Sequence, residues 1–246
     1  MVGSVLNAVG KTALLDAAAR DAEAALFLDL YAAELAGAEG AELLRQQRSS
    51  AGDMYASVVL PLRVRWFDDL YQACVRERGI RQVVLLGAGL DMRPLRLPLS
   101  DALPHLRVFE VDFPSVLHYK SSVLGRVEGA DSYAAFVCAR TGMEPIMVPV
   151  DFDAEQFDAK LAMAGHDSSA STAWLIEGVV HYLPRAAVHK TLAACAAASA
   201  KGSILGIDMM NTQLLELSQR GVISQAGRLR TRLTWEGEGG KVIVGT

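Results

Sequence analysis

Two stretches of the 246-residue sequence pair glycines or acids with apolar runs in a way that suits a nucleotide-like cofactor. The first is Leu86-Gly87-Ala88-Gly89-Leu90-Asp91, which continues the run RQVVLLG (81–87). A strand that delivers G-x-G into a turn lets backbone pass close to a ligand where a Cβ would clash, and doubly wound sheets bind nucleotides there. The dinucleotide fingerprint asks for a third glycine, and Met92 stands in its place. That departure counts against NAD, whose pyrophosphate needs the full cradle. A phosphate-free cofactor such as S-adenosylmethionine tolerates it.

The second stretch is Phe109-Glu110-Val111-Asp112-Phe113. A carboxylate at the carboxyl end of a second parallel strand can accept hydrogen bonds from both ribose hydroxyls of an adenosine. Glu110 and Asp112 point to the same side of the strand, so spacing alone does not choose between them, although Asp112 is nearer the tip. Asp151 closes a third run and Glu177 a fourth. Parallel strands ending in acids concentrate negative potential along one sheet edge, which attracts a sulfonium cation and disfavours nicotinamide phosphates. Taken singly, each acid could instead be a solvated strand end or a helix cap. His181 follows Glu177 closely and is the candidate general base if the acceptor is a hydroxyl; a carboxylate acceptor, already ionised at pH 7, needs none.

These residues need elements to position them. Five apolar runs, RQVVLLG (81–87), LRVFEVD (106–112), IMVPVD (146–151), TAWLIEG (172–178) and GSILGIDMM (202–210), are each separated by enough chain for a helix. Continuous apolar runs suit strands buried on both faces, so the alternation predicts an α/β fold with a parallel, Rossmann-like sheet and right-handed crossovers. Pro114 and Pro184 mark helix starts, and Asp153 with Gln156 has capping-box spacing. Residues 11–60 have the composition of helices, with a break at Gly37 and Gly40. Pro61 opens a stronger helix carrying Val64, Phe67, Tyr71 and Cys74 on one face and closing at Gly79. After the fifth run, 211–232 reads as a polar helix, and Lys241–Val244 as a strand following a Gly237, Gly239, Gly240 turn. The expected organisation is a helical lid over 1–60 on a core of 61–246.

Composition narrows the partners. The chain is 51% hydrophobic and 21% charged, with mean hydropathy +0.22, and no charge-free stretch approaches the roughly 18 apolar residues of a membrane span. A soluble globular protein without membrane association is expected. A net charge of -4, without a long basic block, argues against nucleic-acid binding and for small-molecule or protein partners. Cys74, Cys138 and Cys195 lie far apart without a CxxC, which fits a reducing cytoplasm and suggests neither a disulfide framework nor a metal site. Lys11, Asp16, Arg20, Asp21 and Glu23 interrupt anything resembling a signal-peptide core, so the N-terminal stretch is expected to be retained.

Taken in order, VVLLGAGLDMRPLRL (83–97), VFEVDFPSVLHYK (108–120), VPVDF (148–152) and WLIEGVVHYLP (174–184) resemble the leucine carboxyl methyltransferase family, including its bacterial and polyketide-pathway members. The likeness runs from about Thr12 to Met210: TALLDAAAR resembles the family's N-terminal helix, and FLDLYA its Asp-Pro-Tyr element with Leu30 in place of proline. The resemblance implies a class I methyltransferase fold, S-adenosylmethionine as cofactor, and O-methylation of a carboxylate or, less favoured, a hydroxyl. Eukaryotic relatives methylate a protein C-terminus, whereas the Ala-, Arg- and Gly-rich composition here looks bacterial and points to a small-molecule acceptor. Position by position, Arg63 resembles the arginine that holds the methionine carboxylate, with Arg65 as its competitor for that role. Gly87, Ala88 and Gly89 resemble the turn beside methionine and ribose, Asp112 the ribose acid, and Asp151 and Phe152 the adenine pair. Glu177 resembles the acid near the methionine end, and Tyr182 a recurrent tyrosine after the fourth strand. Lys11 and Arg20 both answer to the family's N-terminal basic residue, and neither is assigned. A catalytically silent cofactor-binding protein is the alternative, since class I sheets end in an antiparallel pair and only the 36 residues 211–246 remain to supply it.

Overall fold

The computed structural model describes residues 6–21, 26–51, 59–97, 99, 106–126, 133–152 and 155–209. Five parallel strands form one sheet: β1 (Gln82–Leu86), β2 (Arg107–Asp112), β3 (Ile146–Pro149), β4 (Thr172–Ile176) and β5 (Ile204–Ile207). All five coincide with the apolar runs. Their order is β3-β2-β1-β4-β5, so β1 is flanked by β2 on one side and β4 on the other. The winding reverses beside β1, and a crevice opens there at the carboxyl ends of the strands. β3 is an edge strand in this sheet and ends at Pro149, which has no N–H to donate to a ladder.

The continuous apolar runs divide between two layers. Val83 and Leu85 of β1 pack with Val108, Ala173, Leu175 and Ile204 beneath the N-terminal helices, whereas Val84 and Leu86 pack with Phe109, Val111, Trp174 and Ile176 on the other face. The first layer takes α1 (Ala8–Asp21), α2 (Ala32–Ala51), α3 (Leu60–Gln72), α5 (Pro114–Leu124) and α6 (Tyr133–Thr141). α7 (Phe157–Met163) and α8 (Arg185–Ala197) cover the second. A four-residue helix, α4 (Arg93–Arg96), follows the glycine turn.

Pro61 lies in the first turn of α3, and Val64, Phe67, Tyr71 and Cys74 are all buried, as the spacing predicts. The helix then runs into a π-helical segment, Ala73–Glu77, which the sequence pattern does not reveal, before Gly79 turns at φ 65°. Gly37 interrupts α2 at φ 56°, ψ -168°, so the expected break falls there, while the chain between the first two helices turns earlier. Pro114 begins α5, and Pro184 caps α8. Gln156 precedes α7 without a side-chain cap, and its expected partner Asp153 lies outside the described residues. The expected helix at 211–232 and strand at Lys241–Val244 also lie outside them. Among the described residues no helix is long and apolar enough to cross a membrane.

Candidate active site

A cleft of about 230 Å³ lies over the carboxyl ends of β1, β2 and β4. Its floor is the Gly87–Asp91 turn, its sides are Asp112, Phe113 and Phe152 on one hand and Glu177–Val179 on the other, and α1 and α3 close it above. Gly87 N–H and Ala88 N–H donate to the Val111 carbonyl at 2.8 and 3.0 Å, which fixes the turn to β2. Gly87 has φ 75°, and a Cβ there would lie 2.3 Å from Val179 Cγ2. The glycine is therefore required by its own conformation and by the loop after β4, in addition to any ligand.

Asp112 is the acid that β2 brings to the cleft. Its Oδ2 accepts from Gly89 N–H at 2.6 Å and its Oδ1 from Phe113 N–H at 2.6 Å. Burial pushes its carboxyl up to about 6, against the pull of those two N–H groups. Glu110 points the same way two residues deeper and is absent from the cleft wall. Fully buried, it accepts from Lys120 Nζ at 2.7 Å and from Tyr133 OH at 2.6 Å. The structure thus separates two acids that alternation left equivalent: only the one at the strand tip reaches the open edge. Phe113 and Phe152 meet edge to face, 5.4 Å apart, and both line the cleft. Asp151, by contrast, is not part of the wall, and its backbone N–H donates to Glu155 Oε2 at 2.9 Å.

This combination of sheet order, glycine turn and strand-tip acid has counterparts. A family model described as leucine carboxyl methyltransferase matches residues 8–196, more than half of the chain. The chain belongs to the leucine carboxyl methyltransferase family. A Streptomyces avermitilis relative, provisionally named an S-adenosyl-L-methionine-dependent methyltransferase, is 40% identical over 171 residues, which are 70% of this chain and 52% of that one. A Streptomyces coelicolor relative with the same provisional name is 38% identical over 218 residues, 83% of this chain and 67% of its own. The chain thus spans about half the length of the first and two thirds of the second. Two crystal structures share the fold: a Thermobifida fusca protein provisionally called a methyltransferase (19% identity, TM-score 0.54, 82% of this chain and 69% of that one) and a DUF574 family protein from Streptomyces avermitilis (16%, 0.57, 82% and 73%).

In this member of the leucine carboxyl methyltransferase family, the end of the cleft beyond Gly87 is an ion-pair network. Arg63 of α3 donates Nε to Glu177 Oε1 at 2.9 Å and Nη2 to Asp16 Oδ2 at 3.0 Å, and its Nη1 lies 3.8 Å from Asp208 Oδ2. Arg65 faces solvent and pairs with Asp69, so of the two arginines Arg63 is the one that lines the cleft. Arg93, 3% exposed, binds Asp68 at 2.8 Å, Glu177 Oε2 at 2.6 Å and Asp91. Burial would raise the Glu177 carboxyl, and Arg93 and Arg63 outweigh it, holding the group below its ordinary value. The acidic edge expected from the strand tips is thereby compensated at Glu177. Asp208 is the less compensated acid, its carboxyl raised by burial despite Arg63 and the Gly178 N–H at 2.6 Å.

Several of these residues escaped the sequence reading. Arg93 stands in the quoted G-A-G-L-D-M-R string without an assigned role, and Asp208 directly follows β5 just as Glu177 directly follows β4. The same strand-tip position that marks Glu177 marks Asp208 in the sequence. Asp16 is reached only through the fold, where Thr12, Asp16 and Arg20 recur every four residues on the face of α1 that lines the cleft. Of the two candidate N-terminal bases, Arg20 reaches the cleft, donating Nε to Asp29 at 3.0 Å and Nη2 to the Leu90 carbonyl at 2.8 Å, while Lys11 pairs with Glu39. Tyr182 lines the cleft beside Thr12, with which it shares a hydrogen bond, and burial pushes its phenol up to about 12. His181 sits in the 3-10 turn Val180–Tyr182, and its side chain lies outside what is described.

Proposed function

We propose that the protein is an S-adenosylmethionine-dependent O-methyltransferase acting on the carboxylate of a small molecule. The observation that carries this reading is the state of Asp112. A carboxylate offers about four acceptor positions, and two are taken by Gly89 and Phe113 N–H, leaving a buried, pre-oriented acid with capacity for two vicinal hydroxyls. Those are the donors of a ribose. The Phe113 and Phe152 rings beside it suit an adenine, and the Arg63 guanidinium suits an amino-acid carboxylate. Glu177, kept anionic by two arginines, completes the polar end. The cofactor, when bound, supplies an activated methyl group on a sulfonium.

The chain's own contribution is placement. Holding an acceptor oxygen in line can be worth roughly 7–11 kcal/mol in favourable systems. A carboxylate acceptor is ionised without help. Tyr182, with its phenol near 12, stays protonated at neutral pH and can donate a hydrogen bond to an acceptor but cannot take its proton. This favours a carboxylate over a hydroxyl, and His181 is the base to examine if a hydroxyl is used. Calorimetry with S-adenosylmethionine and S-adenosylhomocysteine, followed by detection of S-adenosylhomocysteine across matched carboxylic acids and phenols, tests the reading. Binding with turnover on acids supports it; binding with no turnover on any acceptor supports a silent binding protein; no binding of either ligand rejects it.

A further inference from the structure

Arg63 is the guanidinium that the reading above assigns to the amino-acid carboxylate of the cofactor, and in this structure a carboxylate of the protein already stands on it. Asp16 Oδ2 accepts from Arg63 Nη2 at 3.0 Å, a single charge-assisted hydrogen bond of the kind a ligand carboxylate could also accept. Asp16 belongs to α1, which packs chiefly on α2; the Leu14 carbonyl lies only 2.6 Å from where a Cβ on Gly40 would be. α1 reaches the rest of the cleft through its polar stripe: Thr12 to Tyr182, Asp16 to Arg63, and Arg20 to the Leu90 carbonyl. Glu177 occupies Nε of the same guanidinium, and Asp208 faces Nη1. An arriving carboxylate therefore meets an arginine whose surroundings are already anionic; among the described residues Glu177 is also held by Arg93 and Asp208 by the Gly178 N–H, whereas Asp16 is carried on a helix outside the sheet.

We infer that Asp16 is a built-in competitor for the amino-acid end of the cofactor: its carboxylate holds Arg63 in the free protein and must yield before a ligand bearing a carboxylate seats fully. The nucleoside end, at Asp112 and Phe152, carries no such cost. Asp16 thereby sets selectivity between ligands with and without the amino-acid tail, and it couples release of α1 to occupancy of that end. This rests on the proposed cofactor site.

The test compares S-adenosylhomocysteine with 5′-methylthioadenosine, which keeps the nucleoside and lacks the amino-acid carboxylate, by calorimetry on wild type, Asp16→Asn and Asp16→Glu. Circular dichroism establishes that each is folded. Asp16→Asn is expected to bind S-adenosylhomocysteine roughly three- to tenfold more tightly than wild type, the scale of one part-buried ion pair, with 5′-methylthioadenosine unchanged. Asp16→Glu, which keeps a carboxylate, is expected to stay with the wild type. Hydrogen exchange of α1 should quicken when S-adenosylhomocysteine binds wild type and not when 5′-methylthioadenosine does. Weaker or unchanged binding of S-adenosylhomocysteine by Asp16→Asn, or an equal change for both ligands, overturns the inference. Failure of wild type to bind either ligand would instead reject the cofactor site itself.

Discussion

The backbone N–H of Gly89 donates to Asp112 Oδ2 at 2.6 Å, tying the turn after β1 to the tip of β2. The parallel register that sets Leu86 beside Val111 brings the two together. The carboxylate is thus oriented by folding rather than by a ligand, which reduces the ordering cost left for binding.

Asp112→Asn should weaken S-adenosylhomocysteine binding by roughly 10- to 100-fold, the loss expected when hydrogen bonds to a charged acceptor are removed. Asparagine has one acceptor oxygen where two N–H groups converge, so its amide NH₂ must face a donor. Calorimetry reads the effect directly, and undiminished affinity would mean that Asp112 is not the ribose acid.

Binding should also report the protonation of Asp112. With its carboxyl at about 6, well above the unfolded range, the folded ligand-free protein binds this proton more tightly than the unfolded chain. Stability from this group is therefore lost as pH rises from about 4 to about 6, by roughly 3 kcal/mol, and the cost persists above that. Hydroxyl donors favour the anion, so affinity for S-adenosylhomocysteine should climb up to tenfold per pH unit below about 6 and level off above it. Calorimetry at pH 6 in two buffers of different ionisation enthalpy should show proton release. Proton uptake, or a flat profile between pH 5 and 7, would contradict the assignment.

The sheet was legible because parallel strands covered on both faces are largely apolar, and the five largely apolar runs coincide with β1 to β5. The tips were legible because Gly87, Asp112 and Glu177 end those runs. What the pattern could not convey is pairing across distant chain. Glu110 and Asp112 share a strand face, and only the burial of Lys120 and Tyr133 beside Glu110 separates a core acid from a cleft acid. Asp16 and Arg63 lie 47 residues apart on different helices, and their meeting depends on how α1 crosses the cleft. The π-helical segment at Ala73–Glu77 leaves the side-chain spacing close to helical and so gives no periodic signal.

Gly87→Ala should disrupt the turn for two separable reasons. A Cβ would press on Val179 Cγ2, and an alanine at φ 75° costs roughly 1–2 kcal/mol by itself. Adding Val179→Ala should recover the steric part of the loss and leave the conformational part, as read by chemical denaturation. Full recovery in the double variant would show that the left-handed backbone is not what demands glycine there.

Lys120 and Glu110 supply the last test, because they support the cleft without entering it. Lys120 Nζ is buried, bound to Glu110 Oε2 at 2.7 Å and to the Asp91 carbonyl in the glycine turn, with the Tyr133 ring 4.6 Å away. Removing one member strands a charge: Lys120→Met should lower stability by roughly 3–5 kcal/mol, because Glu110 is left with only the Tyr133 hydroxyl. Glu110→Gln strands the ammonium instead, and should also destabilise. Combined, the two substitutions leave no unpaired charge, so the double variant should lose clearly less than the sum of the single losses. Denaturant midpoints at unchanged m-value measure the coupling, and strict additivity would show that the pair does not act as a unit. With Lys120 gone the Asp91 carbonyl also loses its donor, so weakened S-adenosylhomocysteine binding should persist in the stability-restored double variant. Wild-type affinity there would show that the glycine turn holds its shape without this anchor.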